Sequence, residues 1–234
     1  GMTSFRAVDR LGLALTIGGG DVRLLELTAA YAAFANGGRR VAPQLVLEVR
    51  DAAGRVRFTG RSGLGSPALD PRVAYLITDI LSDNAARAPA FGSNSVLSLS
   101  RPAAVKTGTS SDWRDNWTVG YTPQLVAGVW VGNADGRPMV EVSGVAGAGP
   151  IWHDFMETAL RGRPELAFAV PEGMERARVC LPSGPLPTPH CSHTRAELFI
   201  VGTAPTEFDD WYRPLPVDAL TGEPAGAETP PERV

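Results

Sequence analysis

Lys106, Thr107, Gly108 and Thr109 form a short run that could hold an anionic acyl substrate. The Lys106 ammonium would supply a fixed positive charge, and the hydroxyls of Thr107 and Thr109 could donate hydrogen bonds to a carboxylate. Gly108 has no side chain, so an extended substrate could lie alongside the strand, and the Thr109 backbone N–H could stabilise an oxyanion. These residues would bind and stabilise a reacting group, but none of them would attack it.

A strand of this kind acts beside a nucleophilic serine that is followed by a lysine three residues later. Lys106 is the only lysine among the 22 basic residues, and the other 21 are arginines. No Ser-x-x-Lys sequence therefore exists in this chain, and we assign no catalytic residue to it. Three explanations remain. The similarity of the Lys106–Thr109 run to such a strand is accidental, the nucleophile lies on a part of the protein outside this sequence, or the protein has lost its catalytic activity.

Length and composition indicate a globular protein. The 234 residues, 44% of them hydrophobic, can bury the core of one ordinary domain with an appendage. The formal net charge is −3 with both signs interspersed, which disfavours nucleic acid as a partner. No window approaches the roughly 18 apolar residues that span a bilayer, so we expect the chain to be soluble as given.

The hydrophobic pattern predicts helices and strands in a mixed order. Helical spacing covers 17–38 with Asp21 as the N-cap, 71–87 with Pro71 in the first turn, and 147–160. In the last of these, Ile151, Phe155 and Ala159 share one face. Alternating residues predict a hairpin over 44–58 and an antiparallel meander of three strands, at 103–109, 116–122 and 125–132.

The chain changes character after residue 166. Twelve of its 20 prolines lie between Pro164 and Pro231, so we divide it into a domain over 1–166 and a Pro-rich, loop-rich tail over 167–234 that leads to a further domain. Cys180 and Cys191 in this tail are a disulfide candidate for an exported protein. A zinc site that adds His190 and His193 is the alternative, although its spacing matches no usual zinc knuckle.

Several longer runs carry a family resemblance. The run "AVKTGTSSDWRDNWTVGYTPQLVAGVWVGN" at 104–133, with 15–38 upstream and 147–156 downstream, closely resembles the transpeptidase domain of class A, bifunctional penicillin-binding proteins. The stretch "CLPSGPLPTPHCSHTRAELFIVGTAPTEFDDW" at 180–211 looks most like the 1C type within that class. The order of the matching runs is the same throughout, from about Leu15 to Trp211.

The resemblance implies an α+β fold of the serine β-lactamase and transpeptidase type, with a five-stranded antiparallel sheet flanked by helices. It implies a parent enzyme that cross-links peptidoglycan stem peptides through an acyl-serine intermediate and is a target of β-lactams. Lys106, Thr107, Gly108 and Thr109 would bind substrate, and no cofactor or metal would be required. The parent would work on the periplasmic, extracytoplasmic side of the inner membrane.

In the family a Ser-x-x-Lys helix and a Ser-x-Asn loop complete the site, and both precede the region that this chain resembles. Ser82, Asp83 and Asn84 spell the second motif, but they lie too close to Lys106, so we assign them to a helix terminus. Two other interpretations of the chain's role stay open. One is a non-catalytic module that binds peptidoglycan or a partner protein, and the other is a piece that associates with a separately encoded N-terminal half.

Other conspicuous side chains receive structural interpretations. Trp117 and Trp130 lie in strand patterns and are predicted to be core residues, whereas Asp115 is predicted to shape a turn. His153 has no serine placed beside it, so it is not assigned as a base. Half of a transpeptidase domain would expose the apolar face where other helices pack, and we therefore expect a homo-oligomer, such as a rearranged or domain-swapped dimer.

Overall fold

The computed structural model describes residues 1–4, 11–60, 63, 65–226 and 228–233. The chain divides into two units, Gly1–Glu172 and Gly173–Val234, so the division falls after residue 172 rather than after the predicted residue 166. In the described ranges, no helix is long and apolar enough to cross a membrane.

The first unit contains four α-helices and seven strands among its described residues. β1 (Arg39–Arg40) pairs with β4 (Ser66–Pro67), and β2 (Glu48–Arg50) pairs with β3 (Val56–Thr59) in the predicted hairpin. The hairpin turn is held by Asp51 Oδ1, which accepts from the N–H groups of Ala53 and Arg55, both at 3.0 Å. The elements in chain order are a 3-10 helix (Gly12–Ile17), α1 (Leu24–Ala35), β1 (Arg39–Arg40), β2 (Glu48–Arg50), β3 (Val56–Thr59), β4 (Ser66–Pro67), α2 (Pro71–Ser82), α3 (Asn84–Phe91), β5 (Ala104–Thr109), a 3-10 turn (Ser111–Trp113), β6 (Asp115–Tyr121), β7 (Val126–Gly132) and α4 (Ala148–Ala159).

The central sheet has the strand order β5-β6-β7, and both pairings are antiparallel. The predicted meander is therefore confirmed, with Thr107 opposite Thr118 and Trp117 opposite Trp130. The family resemblance implies five strands in this sheet, and the described part of the chain contributes three of them.

Helices cover both faces of this sheet. On one face Tyr121 is fully buried, with its ring centroid 6.5 Å from that of Phe34 in α1 and its hydroxyl 2.9 Å from Thr78 Oγ1 in α2. Burial raises the pKa of Tyr121 to about 12. On the other face α4 packs so closely that a Cβ on Gly120 would lie 2.4 Å from Cζ2 of Trp152. The core between this face and α4 consists of Leu97, Ala103, Val105, Ala127, Trp152, Met156 and Leu160.

The buried face of α4 differs from the predicted one. Ile151 and Phe155 are 54% and 52% exposed, whereas Trp152, Met156 and Leu160 are fully buried. Both series repeat every four residues, so periodicity alone does not distinguish them. The series with the larger combined apolar surface, which includes the tryptophan, is the one that packs against the sheet.

The predicted helix over 71–87 is wrong as a continuous element. Asp83 has an extended backbone, with φ −75° and ψ 93°, and it separates α2 from α3. Its side chain accepts a hydrogen bond from the N–H of Ala86 at 2.9 Å and so caps the second helix. Ser82 ends α2 and Asn84 begins α3, which confirms that the Ser-Asp-Asn triplet lies at helix termini.

The start of α1 also differs from the prediction, because Arg23 and not Asp21 is the N-cap residue. Glu26 in the first turn accepts hydrogen bonds from the hydroxyls of Thr3 and Ser4, both at 2.7 Å, and from their backbone N–H groups. These bonds lower the pKa of Glu26 to about 2. The N-terminal residues are thus joined to the first turn of α1 by the Glu26 carboxylate.

The second unit is not wholly irregular, despite its proline content. Strands β8 (Met174–Cys180) and β9 (Thr194–Ile200) form an antiparallel hairpin. Cys180 and Cys191 are joined in a disulfide with their Cα atoms 5.9 Å apart. The disulfide prediction is confirmed, and the zinc alternative is excluded because the two thiols are bonded to each other.

Glu157 provides a pH-dependent test of the packing of α4. It accepts hydrogen bonds from the N–H of Ser100 at 2.6 Å and from its hydroxyl at 2.9 Å, and the backbone bond is the larger cause of its lowered pKa. The ionised form therefore stabilises the folded state above its ordinary pKa of 4.5, and this contribution is lost as the pH falls below that value.

We expect Glu157→Gln to reduce the free energy of unfolding by about 1 kcal/mol at neutral pH, and the difference from wild type to shrink below about pH 4. Urea denaturation at several pH values measures both effects. Ser100→Ala combined with Glu157→Gln should cost less than the sum of the single changes. Full additivity would show that the two residues do not interact.

Candidate functional site

β5 is an edge strand, because β6 is its only partner among the described strands. Ser110 N–H donates to the carbonyl of Asp115 at 3.0 Å, which makes these two residues a hydrogen-bonded pair, and such pairs alternate along antiparallel strands. Lys106 and Gly108 therefore direct their backbone polar groups toward β6. Thr107 and Thr109 direct their N–H and C=O groups toward the open edge.

The Lys106 ammonium lies along this open edge. The side chain is exposed, and its Nζ donates a hydrogen bond to the Thr107 carbonyl at 2.6 Å, which is one of the edge-facing carbonyls. A small cavity of about 140 Å³ adjoins the strand here. Its lining includes apolar and basic side chains, among them Ile80, Leu81, Phe91, Arg87 and Lys106.

Thr109 ends the strand and contacts a distant segment of chain. Its Oγ1 accepts a hydrogen bond from the N–H of Gly144 at 2.9 Å. Two buried residues of β6 hold the same segment, since Thr118 Oγ1 donates to the Gly144 carbonyl at 3.1 Å and Asn116 Nδ2 donates to the Val142 carbonyl at 2.6 Å. The hydroxyl of Thr109 is therefore part of a hydrogen-bonded network and not a freely rotating surface group.

The turn after Thr109 is held by Asp115. Its carboxylate accepts hydrogen bonds from the Ser110 hydroxyl at 2.8 Å and from Trp130 Nε1 at 2.9 Å, while its own N–H donates to Ser110 Oγ at 2.8 Å. Asp112 and Trp113 within the turn have positive φ values of 59° and 52°. These contacts support the structural interpretation of Asp115 and fix the end of β5.

The structure brings Lys106, Thr107, Gly108 and Thr109 together on one accessible strand. Trp130 is 36% exposed, so its prediction as a core residue is wrong, because the indole lies where its N–H can reach Asp115.

Ser82 and His153 stand apart from the strand. Ser82 Oγ donates to the carbonyl of Asp79 within its own helix, and His153 Nδ1 lies 3.2 Å from the carboxylate of Asp154 on α4.

Gly144 and Thr118 are the residues of this site that sequence reasoning missed. The alternation of Asn116, Thr118 and Gly120 along a strand places small or polar residues on a face that otherwise packs in the core. That pattern is the signal that could have predicted a buried polar contact. The partner segment could not be identified from the pattern.

Comparison with known proteins identifies the fold and the family. A family model for the penicillin-binding protein transpeptidase domain matches residues 1–157, and one for the C-terminal domain of penicillin-binding protein 1A matches residues 170–214. These matches and the architecture define an α+β protein with the serine β-lactamase and transpeptidase fold. The chain belongs to the penicillin-binding protein transpeptidase family.

Individual relatives agree with this assignment. The chain is 33% identical over 197 residues to penicillin-binding protein 2D of Bacillus subtilis, covering 82% of this chain and 28% of the relative. It is 36% identical over 173 residues to penicillin-binding protein 1A of Neisseria lactamica, covering 70% and 21%. The chain thus spans less than a third of the length of these relatives.

Solved structures show the same fold. Penicillin-binding protein 1A of Haemophilus influenzae superposes with a TM-score of 0.69 at 24% identity, covering 88% of this chain and 35% of that one. PonA1 of Mycobacterium tuberculosis in complex with penicillin V superposes with a TM-score of 0.58 at 29% identity, covering 67% and 43%.

Replacing Asp115 tests how firmly the end of β5 is held. We expect Asp115→Ala to lower the free energy of unfolding by about 1–2 kcal/mol, because the Ser110 hydroxyl and the Trp130 N–H lose their acceptor. Asp135→Ala is the matched control, since the exposed Asp135 carboxylate contacts the guanidinium and the backbone N–H of Arg137 and its loss should cost less than about 0.5 kcal/mol. Equal losses in urea denaturation would contradict this role of Asp115.

Proposed function

We propose that this chain is the substrate-holding part of a peptidoglycan D,D-transpeptidase domain. Lys106, Thr107, Gly108 and Thr109 hold an extended peptide that ends in a carboxylate, and the same residues hold the carboxylate of a β-lactam. The observation that carries the proposal is the open edge of β5, where the Lys106 ammonium and the backbone groups of Thr107 and Thr109 are all accessible.

The physical basis is complementarity between this edge and an acyl-D-alanyl-D-alanine end. An extended peptide can pair with the edge-facing N–H and C=O groups of Thr107 and Thr109 as an added strand. The Thr109 N–H can also stabilise the oxyanion that forms at the acyl carbon. The ammonium and the hydroxyls supply donors for the terminal carboxylate. The complex of a related protein with penicillin V supports the β-lactam part of the proposal.

The nucleophilic serine of this proposal lies outside the 234 residues, because the sequence contains no Ser-x-x-Lys. In the complete site the serine hydroxyl loses its proton to a base and forms an ester with the acyl group, while the terminal D-alanine leaves as the amine. A second stem peptide then takes the acyl group on its own amine and releases the serine. The present chain binds the acyl donor and carries out neither bond exchange.

The disulfide supports an extracytoplasmic location for the parent protein. Cys180 and Cys191 are bonded, and such bonds persist in oxidising compartments such as the periplasm. A peptidoglycan substrate would be found in the same compartment.

Intact-mass spectrometry after incubation with benzylpenicillin tests the assignment of the nucleophile. We expect the protein mass to remain unchanged, because no serine here has the lysine that would activate it. A stable increase by one penicilloyl group would overturn the proposal, and Ser82 would then be the first residue to replace.

Binding of N-acetyl-D-alanyl-D-alanine, measured by NMR titration, tests the substrate-holding role. We expect saturable binding that is weakened roughly tenfold by Lys106→Gln, because a charge-assisted contact to the carboxylate is lost. Arg137→Gln is the control, since that arginine is paired with Asp135 beyond the end of β7, and it should bind like wild type. Equal weakening by both changes would indicate non-specific attraction of the anion.

Two further outcomes distinguish a chain that associates with a separately encoded N-terminal half from a non-catalytic binding module. Restored labelling by fluorescent penicillin after co-expression with an N-terminal transpeptidase segment would show that the site is completed in trans. Stem-peptide binding without such restoration would favour a non-catalytic binding module.

We also infer self-association of the isolated chain. Large apolar side chains on α2 and in the turn after β5 are exposed, with Ile80 at 66% and Trp113 at 43%. Burying such side chains against a second copy is favourable, so light scattering should show a mass that rises with protein concentration. A monodisperse monomer at high concentration would contradict this inference.

A further inference from the structure

Two buried polar residues of β6 fasten a segment of chain that lies beyond β7. Asn116 and Thr118 are both fully buried, and each uses its side chain to donate to a carbonyl of this segment, at Val142 and Gly144 respectively. Both residues lie on the face of the sheet that also carries Thr107 and Thr109, which are their cross-strand partners. The segment from Val142 to Gly144 is therefore held directly beside the end of β5.

Gly144 must be a glycine for this contact to exist. A Cβ at this position would lie 2.6 Å from the carbonyl oxygen of Gly108 and 2.9 Å from that of Trp117. Both atoms belong to the backbone of paired strands, so neither can move aside cheaply. The absence of a side chain lets the Gly144 peptide approach closely enough for its N–H to reach Thr109 Oγ1 at 2.9 Å.

This hydrogen bond determines what the Thr109 hydroxyl can do. A hydroxyl has one proton to donate, and here its oxygen already accepts from Gly144. Among the described residues, no acceptor is found for the Thr109 proton. The exposed hydroxyl is thereby left as a donor for whatever acceptor occupies the open edge of β5.

We propose that Thr118 is a positioning residue for Thr109 and acts through the backbone of Gly144. The Gly144 carbonyl accepts from the Thr118 hydroxyl and also from the Gly149 N–H at 2.9 Å, while the Gly144 N–H binds Thr109. A side chain with no access to solvent thus helps to orient the exposed Thr109 hydroxyl. The effect of this arrangement on ligand binding rests on the proposed function. The hydrogen-bond relay itself does not rest on it.

Amide hydrogen exchange at Gly144 tests the relay directly. The measured quantity is the ratio of the exchange rate of the Gly144 amide to that of the Ala127 amide, which serves as a reference for global opening. We expect this ratio to be roughly 3–10-fold higher in the full chain carrying Thr118→Val than in wild type. Thr118→Ser keeps the hydroxyl and should restore the wild-type ratio. Thr78→Val makes the same chemical change at another buried threonine, on α2, and should leave the ratio unchanged.

An unchanged ratio in Thr118→Val, or an equal rise in the Ser variant or in Thr78→Val, would overturn the proposal. Thr109→Val provides a second route if the buried change prevents folding, because Thr109 is exposed. It removes the acceptor of the Gly144 N–H and should raise the same ratio, whereas Thr109→Ser should not. A wild-type ratio in Thr109→Val would contradict the outer bond of the relay.

Ligand discrimination tests the consequence for binding. N-acetyl-D-alanyl-D-alanine and its C-terminal amide are titrated into the wild type, Thr118→Val and Thr118→Ser, and the preference for the acid should fall roughly 3–10-fold only in the Val variant. An unchanged preference for the acid in Thr118→Val would show that Thr118 does not position Thr109 for carboxylate recognition. If the wild type binds neither peptide, the proposed function fails, while the exchange ratio at Gly144 still decides whether the relay exists.

Discussion

The antiparallel pairing of β5 with β6 is the constraint on which the rest of the structure depends. Every hydrogen bond that β6 makes to β5 uses the backbone groups of alternate residues, and the remaining groups of β5 are directed to the open edge. The accessible groups are therefore those of Thr107 and Thr109. A shift of one residue in this register would present the groups of Lys106 and Gly108 instead and would turn every side chain to the opposite face.

This register is supported by helices packed against both faces of the sheet. Two glycines allow the helices to approach the strands closely. A Cβ on Gly120 would collide with Trp152 of α4, and one on Gly128 would lie 2.1 Å from Thr28 Oγ1 of α1. Both helices therefore lie close against the strands. Close packing on both faces limits displacement of the strands. Such support matters at the end of β5, because small displacements there would change the binding geometry. Asp115 then fixes the turn that follows.

The sequence was sufficient to predict the three central strands and the residues presented by β5, because alternation and local residue type determine both. It did not predict the break at Asp83, since the residues on either side share a helical pattern and a single capping side chain interrupts it. The strands of the second unit were missed because proline-rich loops surround them. The contacts of Gly144 were also missed, because its partners Thr118 and Thr109 lie 26 and 35 residues away. Local patterns carry no information about such distant pairings.

An open strand edge is a hazard as well as a binding surface, because unpaired backbone groups can recruit a strand from any other chain. Proteins commonly protect such edges with a lysine, and Lys106 occupies this position on β5. Its ammonium lies against the edge-facing carbonyl of Thr107, so an incoming strand must displace or accommodate a positive charge. A peptide with a carboxylate can compensate that charge, whereas an ordinary strand cannot. The side chain that the proposed function uses to attract substrate therefore also discourages non-specific pairing, and one residue meets both requirements of an exposed binding strand.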